Sequence, residues 1–219
     1  MVQMLQGKDS EVIGSRQTIL ESEGLTCRAV DEGSDEEMFV KRQLGRLADK
    51  YVGAYKCENR ATREAFEGYL RSERLSDDSV SLLKHGSRTE NWWNIFRSGL
   101  TINPSGVVIT GKAYGMGTYF APSAQKSMGY MSVSGSKWAG GCDETGYMGL
   151  YSVITGDSEH RYPGTHGVDC SLDWNKLQKI QPGAYCTWAE SRYSGFMMDE
   201  VIVYKDCQST IEYIVELAA

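Results

Sequence analysis

The sequence has no run of some twenty apolar residues, no C-x-x-C pair, no cluster of lysine and arginine, and only three histidines and four prolines. Each absence removes a class of protein. Without a long apolar run there is no candidate membrane helix, and Met1 to Gly7 holds too few apolar positions for a signal-peptide core. The expectation is a soluble intracellular protein, cytoplasmic or nuclear. Without paired cysteines a zinc ribbon or a thioredoxin-like motif is excluded. His160, His166 and Cys170 lie near one another but lack a fourth ligand and the usual spacing, so no metal is expected. The six cysteines are expected to be mostly buried small apolar residues. With 23 basic against 29 acidic residues and a net charge of −6, the chain carries no electrostatic footprint for nucleic acid.

What is present divides into two parts. Residues 1 to 50 form a polar extension with 10 acidic and 7 basic residues, including the run Asp31 to Glu37, which reads as a solvated loop or a helix start. Met38, Phe39, Leu44 and Leu47 then recur at near-helical spacing, predicting a short amphipathic helix. From residue 51 to 219 short strands alternate with a few helices. Strands are predicted at 52–57, 80–84, 148–155, 184–189, 201–204 and 213–217, and a helix at 61–72. Ser87 to Glu90 reads as a capping box for a helix whose apolar stripe is Trp92, Trp93, Phe96 and Leu100, ended by Gly99. Residues 103 to 118, with a proline and several glycines, read as a loop able to approach a ligand closely. Pro122 suits the first turn of a following helix, with Ser127 and Tyr130 on one face. The implied architecture is mostly antiparallel strands with few helices.

Several segments occur in a telling order: Leu82 to Thr89 with His85-Gly86 at its centre, Ser98-Gly99-Leu100, Thr110-Gly111, Gly115 to Ala121, Lys126 to Tyr130, and Asp199 to Tyr204. Together they resemble the catalytic domain of the poly(ADP-ribose) polymerases, the diphtheria-toxin-like ADP-ribosyltransferases of His-Tyr-Glu type. The resemblance covers residues 51 to 219. It implies an α+β fold, a split pair of mostly antiparallel β-sheets with flanking helices, and NAD+ as substrate in the cleft between them. The reaction would cleave the nicotinamide–ribose bond and pass ADP-ribose to protein acceptors, the enzyme itself among them. No metal and no membrane would be involved, and nucleic acid would be open as an activator or acceptor without being required.

Residue by residue, the resemblance implies that Gly86 holds the nicotinamide carboxamide through its backbone, where the lack of a Cβ admits a planar amide. Ser127 would complete that grip, with Ser87 in the same cofactor-binding set. Tyr130 would stack on the nicotinamide ring and Tyr119 would line the opposite wall. His85 would bind the adenosine ribose and orient the cofactor. Glu200 would hydrogen-bond the nicotinamide ribose 2′-hydroxyl and stabilise an oxocarbenium-like transition state. On a strand it shares a face with Ile202 and Tyr204. A glutamate here favours polymer over a single transferred unit.

Lys126 reads as a solvated helix residue, with pairing to Glu200 as the alternative, and Trp92 and Trp93 read as packing residues. The chain departs from the family pattern at Thr101-Ile102-Asn103 near the adenine side, at Met116, where the family often has lysine, and across 181–195 on the acceptor side. The short upstream segment suggests a minimal stand-alone form without the helical regulatory subdomain. Two alternatives stay open: a mono-ADP-ribosyltransferase acting on protein or nucleic acid, and a catalytically silent module that binds NAD+ or a partner.

Overall fold

A computed structural model describes residues 18–102 and 112–219. The Thr110-Gly111 segment and the first seventeen residues lie outside them. In chain order the elements are α1 (Ile19–Ser22), β1 (Leu25–Ala29), α2 (Asp35–Leu44), β2 (Tyr51–Asn59), α3 (Arg60–Glu73), β3 (Val80–Gly86), α4 (Trp92–Ser98), β4 (Thr118–Phe120), α5 (Ala124–Met128), β5 (Thr145–Ile154), β6 (Arg161–Tyr162), α6 (Trp174–Ile180), β7 (Cys186–Ala189), α7 (Ser191–Ser194), β8 (Glu200–Val203) and β9 (Ser209–Ala218). The strands build two sheets, one of order β1-β2-β9-β5-β3 and one of order β4-β8-β7-β6. Every pairing is antiparallel except β6 with β7. This is the α+β split-sheet architecture expected from the sequence.

The alternation of strand side chains explains how two sheets give three apolar layers. Val201 and Val203 of β8 pack with Leu83, Phe120, Tyr151 and Val153 in the central layer. Ile202, one residue out of phase, packs on the far side with Tyr114, Leu172 and Leu177. The outer face of the five-stranded sheet, through Met148, Leu150 and Val215, is covered by Val40, Leu44 and Leu47.

The helix foreseen after the acidic run is α2, and that run is its start: the Ser34 hydroxyl accepts from the Glu37 N–H at 3.1 Å. Its buried face is Val40 and Leu44, whereas Met38 turns outward. Upstream of it β1 pairs with β2 over five residues, Leu25 opposite Asn59 through Ala29 opposite Tyr55, so part of the polar extension is an edge strand of the larger sheet.

Three expectations need correction. No capping box forms at Ser87 to Glu90: a 3-10 turn over Thr89–Asn91 precedes α4, the Ser87 hydroxyl accepts from Asn91 Nδ2 at 3.0 Å, and the Thr89 N–H donates to Ser132 Oγ at 2.9 Å. Within α4 only Trp92 and Phe96 are buried, and Trp93 faces outward. Of the six cysteines only Cys57 and Cys186 are fully buried, while Cys142 and Cys170 are exposed. Among the described residues no helix is long and apolar enough to cross a membrane.

Candidate active site

Among the described residues one isolated backbone bridge joins the two sheets edge to edge. Lys84 of β3 and Ala121, just past β4, exchange both backbone hydrogen bonds at 2.9 Å. One residue on, the His85 ring closes the same seam, its Nδ1 lying 2.8 Å from the Tyr119 carbonyl. A carbonyl only accepts, so Nδ1 carries the proton and Nε2 is the acceptor left for a ligand. Burial lowers the His85 pKa below its usual 6.5, outweighing the opposing pull of the Tyr119 carbonyl. The ring is therefore neutral at pH 7.

Past the seam no further backbone bridge joins the two sheets among the described residues. In an antiparallel strand the backbone polar groups alternate between the two neighbours. Lys84 points its N–H and C=O outward to Ala121, His85 points inward to β5, and Gly86 points outward again, past the end of the sheet contact. Both hydrogen-bonding groups of Gly86 thus face the split. Its missing side chain is required by packing: a Cβ there would lie 1.9 Å from the Ser127 carbonyl oxygen and 2.8 Å from its carbon. This close approach joins β3 to α5, a five-residue helix that also carries Lys126.

Across the split, β8 begins at Glu200, opposite Ala189, and Tyr119 lies directly opposite Ile202. Cross-strand partners share a face, as do residues two apart on one strand, so Tyr119 and Glu200 belong to the same wall. Glu200 is 7% exposed and Lys126 6%, with Lys126 Nζ 2.8 Å from Glu200 Oε1. The Lys126 ammonium also sits 4.8 Å from the Phe196 ring centre and 5.1 Å from that of Trp138. The expectation of a solvated Lys126 is overturned, because α5 turns it inward onto the glutamate.

The two tyrosines are held differently. The Tyr119 hydroxyl donates to the Gly115 carbonyl and accepts from the Tyr114 N–H, both at 3.0 Å, so it braces the turn before β4 while its ring lines the wall. Tyr130 follows α5, its hydroxyl pushed up to about 12, chiefly by burial and then by the Glu200 carboxylate. The structure thus brings His85, Gly86, Ser127, Tyr119, Tyr130 and Glu200 around one split between the sheets. Ser87 lies at its margin with its hydroxyl engaged by Asn91.

A family model described as the poly(ADP-ribose) polymerase catalytic domain matches residues 52–219. The chain belongs to that family. It is 31% identical over 188 residues to the poly [ADP-ribose] polymerase-like 100L protein of Invertebrate iridescent virus 6, covering 85% of this chain and 96% of the relative. It is 38% identical over 212 residues to poly [ADP-ribose] polymerase 2-B of Oryza sativa subsp. japonica, and 30% identical over 158 residues to poly [ADP-ribose] polymerase 2 of Zea mays. Those alignments cover 84% and 68% of this chain but only 33% and 22% of the plant proteins, which are much longer.

Two features of the site escape the sequence. Asp199 fastens the entry to β8, accepting from Trp188 Nε1 at 3.1 Å and from the Ser191 N–H at 2.9 Å. Nothing in the local sequence distinguishes it from any exposed acid at a strand start. Trp138, in a glycine-rich loop, stacks on Tyr130 with ring centres 4.7 Å apart and planes inclined by 18°. Its only sequence signal is a large aromatic among small residues.

Proposed function

We propose that this chain is an NAD+-dependent ADP-ribosyltransferase that breaks the nicotinamide–ribose bond, modifies protein acceptors including itself, and extends the product to poly(ADP-ribose). The observation that carries the reading is Glu200, a buried carboxylate at a strand start, held by Lys126 on the same wall as Tyr119. In a site shielded from water, a preorganised anion acts strongly on positive charge developing at a ribose.

The rest of the site fits the substrate. The outward N–H and C=O of Gly86 match the acceptor and donor of a carboxamide, and the space a Cβ would take is filled by the Ser127 carbonyl, which brings Ser127 beside that grip. Tyr130 offers a ring face to the nicotinamide, whose positive charge before cleavage favours an aromatic partner. The neutral His85 accepts through Nε2 from an adenosine ribose hydroxyl and orients the substrate without acting as a base. In the reaction the C–N bond to nicotinamide breaks with its electron pair leaving on nicotinamide. The acceptor oxygen attacks the ribose carbon and gives up its proton, and Glu200 steadies the cationic ribose through the 2′-hydroxyl.

The test is incubation of the pure full chain with labelled NAD+ followed by gel sizing and mapping of modified residues. A ladder or smear on the protein itself is expected. A single sharp band would replace polymer synthesis with transfer of one unit, and release of no nicotinamide would leave only a silent binding module.

A further inference from the structure

An aromatic ring has two faces, and one face of Tyr130 is already taken by Trp138. The arrangement is built. The Gly129 carbonyl accepts from both the Trp138 N–H at 2.9 Å and the Ala139 N–H at 3.2 Å, tying the loop to the residue before Tyr130. A Cβ at Gly129 would lie 2.3 Å from the indole, so glycine is what allows the indole to settle there. The base of the loop is closed by Ser134 N–H to the Asp143 carbonyl at 2.8 Å and Asp143 N–H to the Ser132 carbonyl at 2.9 Å. Trp138 itself is 38% exposed, so it is not a core residue placed there to fill space.

We infer that Trp138 is a positioning residue for substrate binding, backing the Tyr130 ring so that its free face is presented to nicotinamide in one fixed orientation. The inference rests on the assignment of Tyr130 as the stacking ring. A tyrosine that is already immobile loses little side-chain freedom when ligand arrives, and the parallel indole adds its own stacking to hold it. The stacking that Trp138 supports is already made in the bound substrate and is not strengthened as the nicotinamide loses its charge, so its loss falls on KM and does not lower kcat.

The experiment compares Trp138→Ala, Trp138→Leu, Trp138→Phe and Tyr130→Ala in the full chain, measuring benzamide affinity by calorimetry, steady-state kinetics with NAD+, and thermal stability. Trp138→Ala and Trp138→Leu are expected to weaken benzamide and raise the NAD+ KM together, by roughly three- to tenfold, with kcat within about twofold. Trp138→Phe, which keeps a flat face, is expected to recover most of the loss, and a purely structural residue would not show this split. Unchanged or tighter benzamide binding in Trp138→Ala, alongside a clear loss in Tyr130→Ala, would overturn the inference alone. The same holds for a fall in kcat larger than the rise in KM. If Tyr130→Ala binds benzamide normally, the assignment of Tyr130 fails and the inference falls with it.

Discussion

Gly86→Ala puts one methyl group into the closest contact of the site. Its Cβ would stand 1.9 Å from the Ser127 carbonyl oxygen, whereas real contacts of this kind are essentially never below 3.0 Å. Either β3 or α5 must retreat by more than 1 Å. Neither has slack, since β3 is paired with β5 through Gly86 opposite Met148 and α5 is anchored by the Lys126–Glu200 pair. Overpacking of this kind costs about 1–3 kcal/mol, and for a protein of this size each kcal/mol lowers Tm by about 2–4 °C. The functional loss is larger, because a 1 Å displacement of positioning groups costs on the order of 10²-fold in rate. The matched control is Gly68→Ala, in the middle of α3, where a Cβ meets nothing within 4 Å. That change should stabilise by about 0.5–1 kcal/mol. Calorimetry with kcat/KM for NAD+ on the three proteins decides the matter. Wild-type Tm and turnover in Gly86→Ala would refute the close approach of β3 and α5.

Other perturbations test other parts of the site. Lys126→Met strands a buried carboxylate and should cost about 3–5 kcal/mol, seen as a Tm loss on the order of 10 °C. The double variant Lys126→Met, Glu200→Leu should regain most of that stability while remaining inactive, and a strictly additive pair would deny their coupling. Tyr119→Phe leaves the Tyr114 N–H and the Gly115 carbonyl without their shared partner, costing about 1–3 kcal/mol by denaturant titration. Because burial lowers the His85 pKa below 6.5 in the folded state, the unfolded chain takes up that proton first as pH falls. The His85 contribution to stability is therefore intact above about pH 6.5 and declines below it. The acid limb of kcat/KM for NAD+ should lie below 6.5, and its appearance above 7 would contradict a neutral, partly buried imidazole.

The strands were legible because strong alternation and clean turn signals mark them. Val80 to Lys84 and Val201 to Tyr204 lie on or within one residue of the observed β3 and β8. The motif order was equally readable, since His85-Gly86, Gly115 to Ala121, Lys126 to Tyr130 and Glu200 each carry an unusual residue in a fixed succession. What local sequence could not carry was pairing across the chain. Lys126 looks solvated until the fold brings it to Glu200 at the start of β8, and Ser87 to Glu90 matches a capping box until Ser132 and Asn91 take its hydrogen bonds. Trp138 and Asp199 work through partners on other segments, Tyr130 eight residues before the first, and Ser191 and Trp188 eight and eleven before the second. The outward turn of the Gly86 backbone depends on Lys84 meeting Ala121, a contact between two sheets that no window of sequence contains.

The proposed role of Glu200 is to act on the transition state and not on substrate binding. The most direct measurement is single-turnover release of nicotinamide by Glu200→Gln, taken beside its benzamide affinity. The rate is expected to fall about 10²- to 10³-fold with affinity within a few-fold of the parent, since glutamine keeps the shape and loses the charge. Turnover at the parental rate would contradict it, as would a loss explained wholly by weaker binding.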